Sequence, residues 1–276
     1  MSLRVASIGE CMVELKERPD GALTRSHGGD TLNTAVYLAR LGIPVDYVTA
    51  LGDDPWSDEM VAAWQAEGVG TALVRRVPNR LPGLYVIQTD AAGERRFTYW
   101  RDSAAARLLF DLPEPPALTG YDLLYFSGIS LSIYSEAGRA RLFAALEATR
   151  ACGGRVAFDT NFRPRGWPDR AAARALYRQA FAVADVVLAS TEDLDLLFGA
   201  EGEAELRQHG AAAEIVLKLA WPACRVTLNG AETLVEALPV ERLVDTTAAG
   251  DSFAAAYLAA RLRGLSPVLA AQAGHR

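Results

Sequence analysis

Short apolar runs alternate with segments of helical period along most of this chain, and no other feature limits its fold as much. Val5-Ala6-Ser7-Ile8-Gly9 is a strand-length run closed by glycine, and residues 46–51, 122–127, 155–159, 185–189 and 214–219 read as further strands. Helical patterns cover 31–41, 56–67, 135–152, 168–184, 190–198, 201–209 and 251–263. In the first of these Leu32, Ala35, Val36 and Ala39 share one face, Asp30 is placed to cap the start, and Gly42 with Pro44 ends it. Such alternation calls for an α/β fold, a mainly parallel sheet covered on both faces, with ligands beyond the C-terminal strand ends.

Two stretches break the alternation. Residues 83–89 and 95–101 flank the turn Asp90-Ala91-Ala92-Gly93 as a hairpin with aromatic residues on both arms. Residues 10–15 alternate polar and apolar like an edge strand. Together these segments, about 10–16 and 83–101, predict a small β lid or a self-association surface. Residues 224–228 and 233–238 form a second hairpin around Asn229-Gly230. No linker, repeat or low-complexity segment appears, so residues 1–276 are expected to form one domain.

Composition narrows the partners. Half the residues are hydrophobic and 22% charged, as in ordinary globular proteins, and the net charge of −6 argues against nucleic acid as a partner. Cys11, Cys152 and Cys224 lie too far apart for a metal or disulfide pattern, which points to a reducing, cytoplasmic setting. No apolar run reaches the roughly 20 residues of a membrane span, and the N-terminus has no signal-peptide pattern.

The chemistry concentrates at Val244-Asp245-Thr246-Thr247-Ala248-Ala249-Gly250-Asp251-Ser252-Phe253, which reads as a strand end, a turn of small residues and a helix start. The first N–H groups of a helix have no intrahelical acceptor, so this turn can hold an anion. Asp251 would stand beside that anion. There a carboxylate is unfavourable unless it takes a proton from an attacking hydroxyl; the alternative is a plain helix cap. No Gly-Lys-Ser/Thr phosphate loop and no Gly-x-Gly-x-x-Gly after the first strand is present. A phosphoryl-transfer site without them needs a helix start for the charge, a base for the nucleophile and a metal near the phosphates. Gly28-Gly29 and residues 161–163, 190–193 and 248–251 all read as lying just past strands, so one site can draw on all four.

Residues 245–253 resemble the C-terminal motif of the ribokinase-like carbohydrate kinases, and Gly28-Gly29-Asp30 followed by Asn33 resembles their di-glycine motif. Gly9-Glu10-Cys11-Met12, Arg80-Leu81-Pro82-Gly83-Leu84-Tyr85, Tyr99-Trp100-Arg101, Ser127-Gly128-Ile129-Ser130-Leu131 and Asn161-Phe162-Arg163-Pro164-Arg165 narrow the resemblance to the 2-keto-3-deoxygluconate kinases of that family. The resemblance implies a ribokinase-like three-layer sandwich of about nine strands with a small β-sheet lid. It implies transfer of the ATP γ-phosphoryl, with Mg2+, to the 6-hydroxyl of a small-molecule sugar acid, while the apolar lid faces suggest a homodimer or higher oligomer. Asp251 would be the base, and Ala248, Ala249 and Gly250 the anion hole. Gly29, Asp30, Asn33, Tyr85, Tyr99, Arg101 and Arg163 would hold the sugar acid. Asn161, Ser190, Lys218, Ala248 and Gly250 would serve the nucleotide, and Asp193 the metal. Physics agrees on the arginines: a guanidinium grips a carboxylate through paired charge-assisted hydrogen bonds, which a neutral sugar does not call for.

Some positions depart from the family pattern. Ala248 stands where glycine is frequent, which is tolerable if its φ stays below zero. Leu219-Ala220-Trp221-Pro222 follows Lys218 where relatives have glycine, so the nucleotide loop is expected to differ in shape. The metal-side Asn-x-x-Glu element appears as Ser190-Thr191-Glu192-Asp193, and the sequence stops at Arg276 where the family continues over the adenine side. The competing readings are a kinase for a neutral sugar such as fructose or ribose and a sugar-binding sensor that transfers nothing.

Overall fold

Within each central strand, successive side chains alternate between two separate cores, which is what a sheet covered on both faces requires. Ala6, Ile8, Leu124, Phe126, Val187 and Ala189 belong to one core; Val5, Leu123, Tyr125, Val186 and Leu188 belong to the other. The first core is closed by helices that contribute Leu142, Leu146, Tyr177, Phe181, Leu194 and Leu206, and the second by helices that contribute Leu32, Leu38, Trp64, Tyr257, Leu258 and Ala270. This is a three-layer α/β sandwich. The computed structural model describes residues 3–18, 20–89, 95–210, 213–239 and 247–276. The turn over residues 90–93, and Asp245 and Thr246 of the C-terminal motif, lie outside the described residues.

The main sheet has nine strands. Its parallel part runs β5 (Val74–Arg76), β4 (Val45–Leu51), β1 (Val5–Ile8), β8 (Leu123–Ser127), β9 (Arg155–Asp159), β10 (Val186–Ser190) and β11 (Glu214–Lys218). β12 (Ala223–Leu228) and β13 (Ala231–Glu236) extend it antiparallel. Their two-residue turn holds Asn229 at φ 51 and Gly230 at φ 79, the paired positive φ values that suit Asn-Gly. The chain leaves β1 toward β4 on one side and returns to β8 on the other, so the order reverses at β1 and opens a crevice at its C-terminal end.

A second sheet of four strands lies apart, in the order β3 (Leu23–Gly28), β2 (Met12–Glu17), β6 (Gly83–Thr89) and β7 (Arg95–Trp100). The expected hairpin is its β6–β7 pair, in antiparallel register. β2 and β6 pair in parallel, joining the early segment to the hairpin. β3 is not announced by alternation, because Leu23 to Ser26 are all exposed and the strand has no apolar face. β5 is equally silent at three residues long.

The helices are α1 (Asp30–Arg40), α2 (Pro55–Ala66), α3 (Gly128–Ile133), α4 (Glu136–Ala151), α5 (Arg170–Val183), α6 (Thr191–Phe198), α7 (Gly202–His209), α8 (Ala249–Leu262) and α9 (Pro267–Gly274). Two expectations about their starts change. Asp30 does not cap α1: Gly29 is the cap and Asp30 the first helical residue, with its carboxylate turned to a partner described below. α5 opens two residues after Pro168, where Asp169 accepts from the N–H groups of Ala171 and Ala172. Among the described residues, no helix is long and apolar enough to cross a membrane.

Candidate functional site

The C-terminal ends of β1, β9, β10 and β11 meet the starts of α1 and α8 around a cavity of about 380 Å3, which the small sheet overhangs. Its lining includes Glu10 beyond β1, Asp159, Asn161 and Arg163 from the end of β9, Ser190 and Asp193 from the end of β10, and Lys218 at the end of β11. Gly29, Asp30 and Asn33 come from the start of α1 and Ala248 to Asp251 from the start of α8; Tyr85, Phe97 and Tyr99 come from the small sheet. All the sequence-derived site residues therefore face one cavity except Arg101.

Asp251 sits in the first turn of α8. Its Oδ2 accepts a 2.8 Å hydrogen bond from Asn33 Nδ2 across 218 residues of sequence. Burial, reinforced by the negative charge of Asp30, pushes its carboxyl up to about 7; the Asn33 hydrogen bond pulls the other way, Asp159 adds to the rise, and Lys218 opposes it. An acid poised near neutrality can accept a proton from a hydroxyl.

Ala248, the cap of α8, has φ 59 and ψ 15. The condition for an unstrained alanine, φ below zero, is therefore not met: the turn enters the helix through the left-handed region, where glycine has no penalty and alanine does. The helix start still points into the cavity. A side chain built on Gly250 would meet only Lys218 Nζ, at 3.7 Å, so the ammonium stands next to the first turn. A helix N-terminus and a lysine at one place have the charge to hold an anion. Lys218 also pairs with Asp159 at 3.4 Å, and Asp159, raised by burial, is held down by that ammonium. After Lys218 the turn to β12 closes without glycine, through Leu219 N–H to the Ala223 carbonyl at 2.9 Å, and leaves Trp221 exposed.

Asn161, at φ 26, donates its amide to Asp30 Oδ2 at 2.6 Å. Ser190 caps α6, its hydroxyl accepting from the Asp193 N–H at 3.1 Å. The Asp193 carboxylate accepts from the Thr160 hydroxyl at 2.7 Å and lies 3.5 Å from Arg163 Nη1. Among the described residues, no three of His, Cys, Asp and Glu converge as a cation site. Six acids (Glu10, Asp30, Asp159, Glu192, Asp193 and Asp251) line the cavity against two bases, Arg163 and Lys218, an excess that favours a divalent cation accompanying any phosphate.

Gly29 has a different reason for being glycine than room for a ligand. A Cβ there would lie 2.1 Å from the Glu10 carbonyl oxygen, so chain packing excludes it. Tyr85 donates to Glu14 Oε2 at 2.5 Å and packs against Tyr99 with ring centroids 5.8 Å apart.

Arg101 departs from expectation. It does not line the cavity; its Nη2 is bonded to Glu10 Oε2 in a pair that is nearly buried. The pair is half made, because Glu10 Oε1 and Arg101 Nε are buried with no hydrogen-bond partner among the described residues. Burial pushes the Glu10 carboxyl up and Arg101 holds it back. Arg163 is the guanidinium that reaches the cavity, with its side chain 61% exposed. Sequence reasoning gave Glu10 and Asp159 no role, although both are acids at C-terminal strand ends, the position where a parallel sheet places its ligand groups.

Comparison with known proteins shows the family of the chain. The model of the pfkB family carbohydrate kinases matches residues 2–276. A 2-dehydro-3-deoxygluconokinase of Dickeya dadantii is 49% identical, over 98% of this chain and 92% of that protein. One of Escherichia coli K12 is 45% identical, over 100% and 93%. A crystal structure of fructokinase with bound ATP from Xylella fastidiosa superposes with a TM-score of 0.85 at 26% identity, covering 98% of this chain and 84% of that one. The chain belongs to the pfkB family of carbohydrate kinases.

Proposed function

We propose that this protein phosphorylates 2-keto-3-deoxygluconate at its 6-hydroxyl, using ATP, to give 2-keto-3-deoxy-6-phosphogluconate. The observation that carries the reading is the position of Asp251: a carboxyl near neutrality in the first turn of α8, beside Lys218 and inside a cavity that Arg163 and two tyrosines also line. The carboxylate oxygen not bonded to Asn33 accepts the proton of the 6-hydroxyl as that oxygen attacks phosphorus. The N–H groups at the start of α8 and the Lys218 ammonium hold charge that develops on the phosphoryl oxygens. Asp193 would be the residue to hold a Mg2+ ion that accompanied the nucleotide, and such an ion would supply charge neutralisation of the phosphates among the surrounding acids. Arg163 binds the substrate's carboxylate at the rim, Tyr85 and Tyr99 pack on its carbon chain, and the small sheet acts as a lid. Relatives that are 45–49% identical and carry the name 2-dehydro-3-deoxygluconokinase support the choice of sugar.

One observation favours a second reading. Arg101 is engaged by Glu10, so among the described residues Arg163, itself 3.5 Å from Asp193, is the guanidinium that lines the cavity, which also suits a neutral sugar such as fructose. ADP release measured with Mg2+ over a panel of keto-sugar acids, fructose and ribose separates the two. The proposal expects kcat/KM for 2-keto-3-deoxygluconate to exceed that for fructose by about 10²-fold or more, the discrimination expected of a charged contact. Equal values would sink it, and no ADP release with any sugar would leave a binding protein.

A further inference from the structure

α1 does more at this site than present a di-glycine turn. It meets the first turn of α8 at two points: the amide of Asn33 donates to the Asp251 carboxylate at 2.8 Å, and Thr34 Oγ1, whose one proton goes to the nearer Asp30 carbonyl, lies 3.4 Å from the Asp251 carbonyl. Thr34 is itself anchored, with Tyr125 OH at 3.2 Å and the Asp30 carbonyl at 3.1 Å. We infer that Asn33 is a positioning residue, whose amide fixes the rotamer of Asp251 and keeps it in the proton-accepting form. The inference rests on the reading of Asp251 as the base.

The charges around Asp251 explain why such a residue is needed. Asp30 faces it from α1, Asp159 from the end of β9, and the Tyr125 phenol from β8 beneath. Lys218 on β11 opposes them, but its ammonium is shared with Asp159. Burial and two acids thus favour a protonated Asp251, and Asn33 is the side chain that donates to it. An amide N–H bonded to a carboxyl oxygen stabilises the ionised form, because both carboxylate oxygens accept. The same bond leaves the second oxygen for the substrate hydroxyl.

The test is the pH dependence of kcat with saturating ATP, Mg2+ and the best acceptor from the sugar panel, for the unaltered enzyme, Asn33→Leu and Asn33→Asp. Without the donor, the acidic limb of kcat is expected to move up by about one pH unit, so that turnover near pH 7 falls about fivefold and is nearly restored at pH 9. Asn33→Asp, which adds a like charge at the same size, is expected to move the limb further. Recovery at high pH is something a misfolded or loosened site would not show. A loss of kcat by one constant factor at every pH overturns the inference, as does a raised KM for the sugar with an unmoved profile. Asp251→Asn, run alongside, isolates the underlying reading: if it keeps full turnover the base assignment fails whatever Asn33 does.

Discussion

The cavity's floor and its roof are built in opposite ways. On the floor each polar group is held by another: Asn33 holds Asp251, Asn161 holds Asp30, Lys218 holds Asp159 and Thr160 holds Asp193. These residues sit at strand ends and helix starts whose backbones the two cores fix. The roof is a thin sheet with Tyr99 and Trp100 exposed, tied to the floor by Arg101 on Glu10, by Arg165 Nη1 on the Phe97 carbonyl at 3.0 Å, by Arg25 on Glu59 and by Val13 packed into the second core. Groups that do chemistry need fixed geometry, whereas groups that recognise a sugar must let it in. Changes in the floor should therefore act on kcat, and changes in the roof on KM and on stability.

The largest effect is expected for Asp251→Asn, a loss of kcat of about 10³-fold with sugar binding retained, read by single-turnover kinetics and calorimetry. The same substitution should stabilise the protein in a pH-dependent way. Asp251 is raised in the folded state from 3.8 to about 7, so between those values the native state binds more protons than the unfolded state. Stability then falls as pH rises through this window, and above it the buried charge costs on the order of 4 kcal/mol. Asparagine removes that penalty. The variant should melt several degrees higher than the parent at pH 8 and much closer to it at pH 5. Equal gaps at both pH values would mean Asp251 is not raised.

The two arginines sharpen the comparison next. Arg163→Ala should raise KM for the keto-sugar acid by about 10- to 100-fold while stability changes by less than about 0.5 kcal/mol, because its side chain is mostly solvated. Arg101→Ala should instead lower stability by roughly 3 kcal/mol, since it strands the buried Glu10 carboxylate. Thermal melts and substrate titrations on the pair decide this. If Arg101→Ala melts like the parent and only KM rises, Arg101 belongs to the recognition surface and its link to Glu10 is incidental.

What the sequence made legible follows the same division. β1, β8, β9, β10 and β11 were readable because burial on both faces writes a continuous apolar run, and the helices between them because their caps and stops are local. Asp251 was readable from a nine-residue window. The bonds that make it useful were not, since Asn33 and Asp251 lie 218 residues apart and nothing local encodes their meeting. β3 escaped because an exposed strand carries no period, and Arg101 was identified as a residue while its partner Glu10 was not. Long-range pairing of polar groups is the part of the site that only the fold reveals.

The smallest effect belongs to the junction between floor and nucleotide. Ala248 holds φ 59, and a non-glycine residue there is strained by about 1 kcal/mol because its Cβ crowds the backbone. Ala248→Gly removes that strain but frees the unfolded chain by part of the same amount. The balance is a gain of about 0.5 kcal/mol, or roughly 1–2 °C in melting temperature. The turn itself should not move, because glycine adopts the same φ, so kcat should stay within about twofold. Were the variant less stable than the parent, the backbone at residue 248 could not be left-handed in solution. The start of α8 would then have to be entered from a different turn than the one that sets Gly250 beside Lys218.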